Sequence, residues 1–415
     1  MISIGRSERL LRTFLPYYLG MLLVMTIIGS AVNYYDHHNW KMGDWLINYQ
    51  GGFVRRGFLG EAFLCLSQAT SWNLGIFVVL FQSVFYFIYF CFAYLLLKRV
   101  ALVKYAILIV SPFIFTFQLN DFQGGYRKEI IYFAIVSFLG YAKVTYRRER
   151  FEKVFFATLL IYALAILSHE MLIVFIPYLI ALYALDNALS TRTWFLISIF
   201  SLPFLAAFSL CACFTGTVAQ EHQIFTVLAG MNYHIDGGAI TRLHHTIHDG
   251  MRIVSANLAA SVSYIAVIAL SLVAFLPVSA TIRNLFKSRP IVILVALSVL
   301  GTMAVSVIAL DWGRFIYMHL VSLFILLLVS ERTIAESEGK PEDAKLPGLL
   351  VGGVLVWSMV FHIPHFYEEN MIARKISQIN AMNYAVKPIC RLYQIRQNNP
   401  SALRRHEKEM LPADR

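Results

Sequence analysis

Long apolar runs broken by short polar segments dominate the chain. They lie at 14–35, 75–97, 101–119, 130–146, 154–168, 171–185, 194–213, 257–280, 291–310, 315–330 and 347–363. Most are about the ~20 residues a helix needs to cross a bilayer. A single helix over 154–185 would be about 48 Å long at ~1.5 Å per residue, too long for a ~30 Å hydrocarbon core. The pattern therefore predicts two short helices, or a broken one, at Ser168-His169-Glu170. The expectation is an all-α, polytopic helical membrane protein of about 11 transmembrane helices, with re-entrant or amphipathic segments on its outer face. One transmembrane domain covers 1–365, and a basic C-terminal tail covers 366–415. Arginines precede the first run as in a signal peptide, but no small-residue cleavage site comes before Asp36, so a retained first span is expected.

Composition supports this class: 58% hydrophobic, 14% charged and a mean hydropathy of +0.64. A net charge of +11 could suggest nucleic acid, but the basic residues fall mostly in short segments between spans, where they orient a membrane protein. Segments 1–13, 98–104, 143–153, 186–193, 281–290 and 331–346 hold 18 Lys and Arg, against 8 in the alternating segments 36–74, 120–129, 214–256 and 311–314. The first set, with the N-terminus, is expected on the cytoplasmic side. The tail carries another 9, and an eleven-span count would place it outside. The five cysteines form no disulfide framework or CxxC pair.

The outer-side basic residues sit in motif-like clusters. One is Asp44 to Glu61, where Arg55 and Arg56 lie among Gly51, Gly52 and Gly57. The glycines are expected to take positive φ or close approach, and the guanidiniums offer forked donors to phosphate or carboxylate. A helix over 57–68 would put its N-terminus beside the arginines, an arrangement suited to an anion. The other reading is an interfacial snorkel. Gln123-Gly-Gly-Tyr-Arg127-Lys128-Glu129 echoes the first loop, Gln50-Gly-Gly-Phe-Val-Arg55-Arg56. Here the alternatives are a phosphate contact or an ion pair with Asp121 or Glu129. Asp311-Trp312-Gly313-Arg314 is a local Asp–Arg pair with an interfacial Trp, or a turn that sends Arg314 to a central anionic ligand. His169 and Glu170 at the helix break are ionisable residues at membrane depth, functional candidates by default, with a structural pair as the alternative. Asp36 and Asp44 follow the first span and are candidate general bases, or plain loop polarity.

The loop 214–256 carries Arg242, His244 and His248 as acceptor-side candidates. His244 and His248 are spaced i,i+4 and would share a face on a helix, but no third ligand is fixed by spacing. No metal or cofactor is expected.

The Asp44–Glu61 loop, Tyr126-Arg127-Lys128-Glu129, Ser168-His169-Glu170 and Asp311-Trp312-Gly313-Arg314 together resemble motifs of bacterial multispanning glycosyltransferases that use polyprenyl-linked sugars. These are the GT-C-type transferases and the O-antigen polymerases and ligases. The resemblance covers most of the chain in architecture and rests on few residues. It implies a bacterial inner-membrane enzyme of O-antigen or capsule-type polysaccharide biosynthesis acting on an undecaprenyl-phosphate-type oligosaccharide, with possible polysaccharide-assembly partners and no nucleic acid. It points to Asp36 or Asp44 as the acidic catalytic residue of the first outer loop, although the adjacent Asp-Asp or Glu-x-Asp pair of GT-C enzymes is missing. On this reading Arg55, Arg56, Arg127, Lys128 and Arg314, with Asp311, hold the diphosphate, and Asp44, His169 or Glu170 handles the proton. A transporter or flippase of an anionic lipid-linked solute is the other class, but it needs polar groups through the bilayer middle. A non-catalytic assembly or sensor protein recruiting partners through its tail is the third.

Overall fold

The computed structural model describes residues 6–121, 124–185, 189–258, 261–338, 348–360 and 363. The tail from 366, Cys390 and Gln123 lie outside them. The described chain is helical, with no strand. Its helices are α1 (Arg6–Tyr35), α2 (Phe58–Thr70), α3 (Leu74–Leu97), α4 (Leu102–Val110), α5 (Phe117–Asn120), α6 (Glu129–Thr145), α7 (Arg148–Ser168) and α8 (Ile176–Ala184), followed by α9 (Thr191–Cys213), α10 (Val218–Gly230), α11 (Ile247–Ala256), α12 (Ser261–Phe275), α13 (Ser279–Leu285), α14 (Arg289–Ser306), α15 (Trp312–Glu338) and α16 (Gly348–Val360).

Seven helices among the described residues are long and apolar enough to cross a membrane: Arg6–Tyr35, Leu74–Leu97, Arg148–Ser168, Thr191–Cys213, Tyr264–Leu285, Arg289–Ser306 and Trp312–Glu331. The other four apolar runs fold into shorter helices. Residues 101–119 break after Val110, where Ser111 turns extended ahead of Pro112, as the residue before a proline tends to do. The run 130–146 becomes α6, 17 residues long. The break at His169 is present: α7 ends, His169 is extended, and a 3-10 turn over Glu170–Phe175 leads into α8. Several helix starts carry side-chain caps. Asn73 accepts from Gly75 N, Ser190 from Thr193 N and Thr217 from Gln220 N, and Thr246 with Asp249 forms a capping box.

Helix α15 is the central post: 83% of its apolar window is buried, against 22–39% for the other six. Helix α6 packs on α3 and α15, α1 on α3, α7 on α9, and α8 on α14. The periphery exposes Phe195, Leu202, Ile265, Leu272, Leu300 and Met303, a density of bare apolar side chains that calls for lipid rather than water. Ties at one end of the bundle join the segments expected to be cytoplasmic. Arg12 donates to the Lys98 and Val100 carbonyls, Arg99 to Val144 O, and Glu331 receives Tyr105 Oη, Thr281 Oγ1 and Lys104. The C-terminal ends of α1, α7 and α9 and the N-terminal ends of α6 and α15 carry the other set of segments. This alternation of chain direction puts all of the motif clusters at the opposite end.

Candidate functional site

At that end the two echoed loops interlock. Trp45, fully buried, donates its indole N–H to Tyr126 O at 2.8 Å. Gln82 of α3 donates to the same carbonyl and to Lys41 O, both at 2.9 Å. Tyr126 (φ 61°) and Arg56 (φ 67°) both lie in the left-handed region without being glycine, which persists only where the surroundings impose it. Those surroundings are visible: Tyr126 O is held by two buried donors, and Arg56 O accepts from Lys128 Nζ at 2.8 Å. The expected positive φ is found at Gly52 (104°) but not at Gly57, which caps α2 at φ −80°. Gly57 is needed for space, since a Cβ there would lie 2.2 Å from the Tyr49 ring. Helix α2 seats on the 3-10 turn Gly43–Leu46 through Gly60, where a Cβ would fall 1.9 Å from Ile47 O. Glu61 then accepts from Tyr49 N and Gln50 Nε2.

The charged side chains form one buried network. Arg56 grips both oxygens of Glu170, with contacts of 2.7–3.0 Å. Arg127 meets Asp44 at 3.1 Å, with side chains 5% and 0% exposed. Arg314 pairs with Glu129, and with Asp311 at 3.0 Å. His169 Nε2 lies 3.2 Å from Glu129 Oε1, and its Nδ1 is 3.8 Å from Glu170. Arg55 sits 4.0 Å from Glu170 and donates to the Arg242 and Leu243 carbonyls. The sequence-distant residues Asp44, Arg55, Arg56, Arg127, Lys128, His169, Glu170, Asp311 and Arg314 thus come together.

Several expectations need correcting. Arg127 pairs with Asp44. Asp311 and Arg314 form the local pair, and Arg314 also pairs with Glu129. Burial alone would raise the Asp44 carboxyl, but Arg127, Lys128 and their neighbours outweigh it and hold it well below the usual carboxylate range. Asp44 is the counter-ion of Arg127. Asp36 lies at the turn after α1, where its charge acts on His37 and Lys41. His244 precedes α11 and binds Glu221 at 2.6 Å, while His248 is exposed on α11, so the pair shares no helical face. Arg242 points toward His245, and only its carbonyl touches the site.

Burial pulls Lys128 down to about 8, opposed by Asp44, and Lys41 likewise to about 8, opposed by Asp121 and Asp36. Burial also lowers the His169 imidazole, and Glu170 only partly restores it. Arg56 is opposite in sign: burial disfavours its charge, but Glu170 more than compensates and raises it.

Beside the network lies a narrow cavity with about 20 Å³ of room for water-sized molecules. Arg127, Glu129 and Arg314 form its polar side, and Tyr86, Phe117, Tyr126, Phe133 and Tyr317 its aromatic walls. Phe117 stacks on Tyr317 at 4.3 Å. Asp44 Oδ1, Arg55 Nε, His169 Nδ1 and Arg314 Nε are buried with no hydrogen-bond partner among the described residues, so donors and acceptors are left over where such groups are normally satisfied. Residues 214–256 cover the arginine loop. Arg55 N donates to Phe214 O, Gln220 Nε2 to Phe53 O and Asp236 N to Asn39 Oδ1, and Tyr233 stacks on Tyr34. Glu129, Lys41 and Gln82 were not singled out in the sequence as site residues. A carboxylate directly after Arg127-Lys128, facing the expected outer side, was the available signal for Glu129; Gln82, inside an apolar helix, was another. Comparison with protein families, with curated proteins and with solved structures finds no match.

Proposed function

We propose that the chain is an integral membrane glycosyltransferase, polymerase or single-sugar transferase, that uses a polyprenyl-(di)phosphate-linked sugar at the outer face of the bacterial inner membrane in cell-surface polysaccharide assembly. One observation carries this reading. Cations from three separate segments (Arg55 and Arg56, Arg127 and Lys128, and Arg314) meet carboxylates and an imidazole in one network beside an aromatic-walled cleft at one end of the bundle. A sugar carried on a lipid diphosphate presents its leaving group at the headgroup level, where this network would meet it. Glycosyl transfer leaves negative charge on the departing phosphate, and guanidiniums already fixed by carboxylates stabilise that charge without reorganising. Arg314 and Arg127 face the cleft and are the direct ligands in this reading. Arg55, Arg56 and Lys128 stand behind them.

The apolar spans weigh against the transporter alternative. Their buried polar groups are mostly satisfied in place, as in Ser30–Gln82, Tyr132–Ser322 and Tyr178–His319–Thr302, rather than strung through the bilayer. Deleting the gene and profiling surface polysaccharide and polyprenyl-linked intermediates tests the proposal. Accumulated single repeat units would mark a polymerase and a missing side-chain sugar a transferase. Unchanged profiles would refute both.

A further inference from the structure

We propose that Glu129 is the catalytic base of this site and that binding the donor phosphate at Arg314 arms it. The inference rests on the transferase reading and deepens it.

Elimination among the carboxylates leads to Glu129. Asp44 is fully buried against Arg127 and does not line the cleft. Glu170 has both oxygens engaged by Arg56. Asp311 is outside the cleft, at the start of α15. Glu129 lines the cleft, at the first position of α6. Its Oε1 takes the contacts from Arg314 Nη2 and His169 Nε2. A carboxylate only accepts, so the imidazole must donate Nε2–H to Oε1. His169 is therefore a positioning residue that fixes the carboxylate from behind.

In the resting site Arg314 neutralises Glu129, which makes a weak base. An opposite charge within about 4–6 Å favours the ionised carboxylate, and sharing that charge with an anion weakens the effect. A phosphate bound at Arg314 divides the guanidinium between two anions, and Glu129 gains proton affinity only once the donor is in place. In the transfer step the acceptor hydroxyl oxygen bonds to the anomeric carbon, and the bond from that carbon to the phosphate oxygen breaks. Its electron pair leaves on the (di)phosphate beside Arg314, and the hydroxyl proton moves to the Glu129 carboxylate.

The test uses Glu129→Gln in the full chain. Binding of undecaprenyl diphosphate to detergent-purified protein is measured by native mass spectrometry. Lipid-linked and surface glycans are profiled in a deletion strain carrying the variant. Base catalysis contributes about 10²–10⁴-fold, so product should fall at least 100-fold. Diphosphate affinity should stay equal to the parent's or rise, because Arg314 loses its internal competitor. A merely structural Glu129 would lose both readouts, and product within about threefold of the parent would overturn the proposal just as directly. If Glu129→Gln does not fold, Glu129→Asp serves: binding retained with at least a tenfold loss of product supports the assignment, and unchanged product refutes it. The two failures separate cleanly. A gene deletion that leaves all glycans unchanged removes the transferase reading and this one with it. A deletion phenotype fully restored by Glu129→Gln removes this one alone.

Discussion

Asp44→Asn is the perturbation whose cost follows most directly from the structure. Asp44 and Arg127 are the most deeply buried ion pair in the network, 3.1 Å apart with side chains 0% and 5% exposed. Asparagine keeps the volume, so no cavity forms and the change is electrostatic. Arg127 keeps its contact with the Trp40 ring at 5.2 Å but loses its counter-ion while its side chain stays buried, 5% exposed. Breaking a buried pair from one side costs about 3–5 kcal/mol, on the order of a third or more of a stability of about 5–15 kcal/mol. Arg127→Met should cost a similar amount. The double variant should cost clearly less than the sum, because neither charge is then stranded. SDS titration of purified protein, followed by tryptophan fluorescence, reads all three. A loss below about 1 kcal/mol for Asp44→Asn, or an additive double variant, would refute the reasoning. The pH sign follows from the lowered Asp44 carboxyl. Its stabilisation is fully present above the ordinary value of 3.8 and is lost as pH falls through the still lower folded value.

Three further outcomes are expected. Gly60→Ala should leave little folded protein on size exclusion, because the new methyl meets the Ile47 carbonyl, whereas Gly230→Ala, with nothing within 4 Å, should behave like the parent. Affinity for a polyprenyl diphosphate should decline as pH rises past about 8, where buried Lys128 gives up its proton; a flat titration from pH 7 to 9.5 would count against its role. With the native cysteines replaced by alanine, an impermeant maleimide on spheroplasts should label Gln50→Cys but reach Arg148→Cys only after lysis, and the reverse would invert the orientation.

Much of this architecture is legible in the sequence because bilayer hydropathy is a strong one-dimensional signal. The apolar runs, the break at His169 and the grouping of motif loops at one end all follow from it. What does not follow is who pairs with whom. Arg127 could have met Asp121 or Glu129, both close in sequence, yet it meets Asp44 from another loop. Only packing through Trp45 and Gln82 on Tyr126 O sets that register. Glu129 beside two basic residues reads as a local salt-bridge partner, and its place on the cleft wall appears only once α15 delivers Arg314 to it. The spacing of His244 and His248 misleads for a simpler reason: the Thr246 cap starts α11 between them. The short runs 101–119 and 171–185 lose helical length at Pro112 and at the 3-10 turn after His169, details that hydropathy averages away.

The central claim is that the network receives a phosphorylated lipid. Its most direct measurement is a titration of undecaprenyl diphosphate into the purified protein and into Arg314→Gln. A hydrogen bond to a charged group is worth about 1.5–3 kcal/mol, so the parent should bind and the variant should bind roughly 10- to 100-fold more weakly. A parent that does not bind, or a variant that binds as well as the parent, would contradict the account.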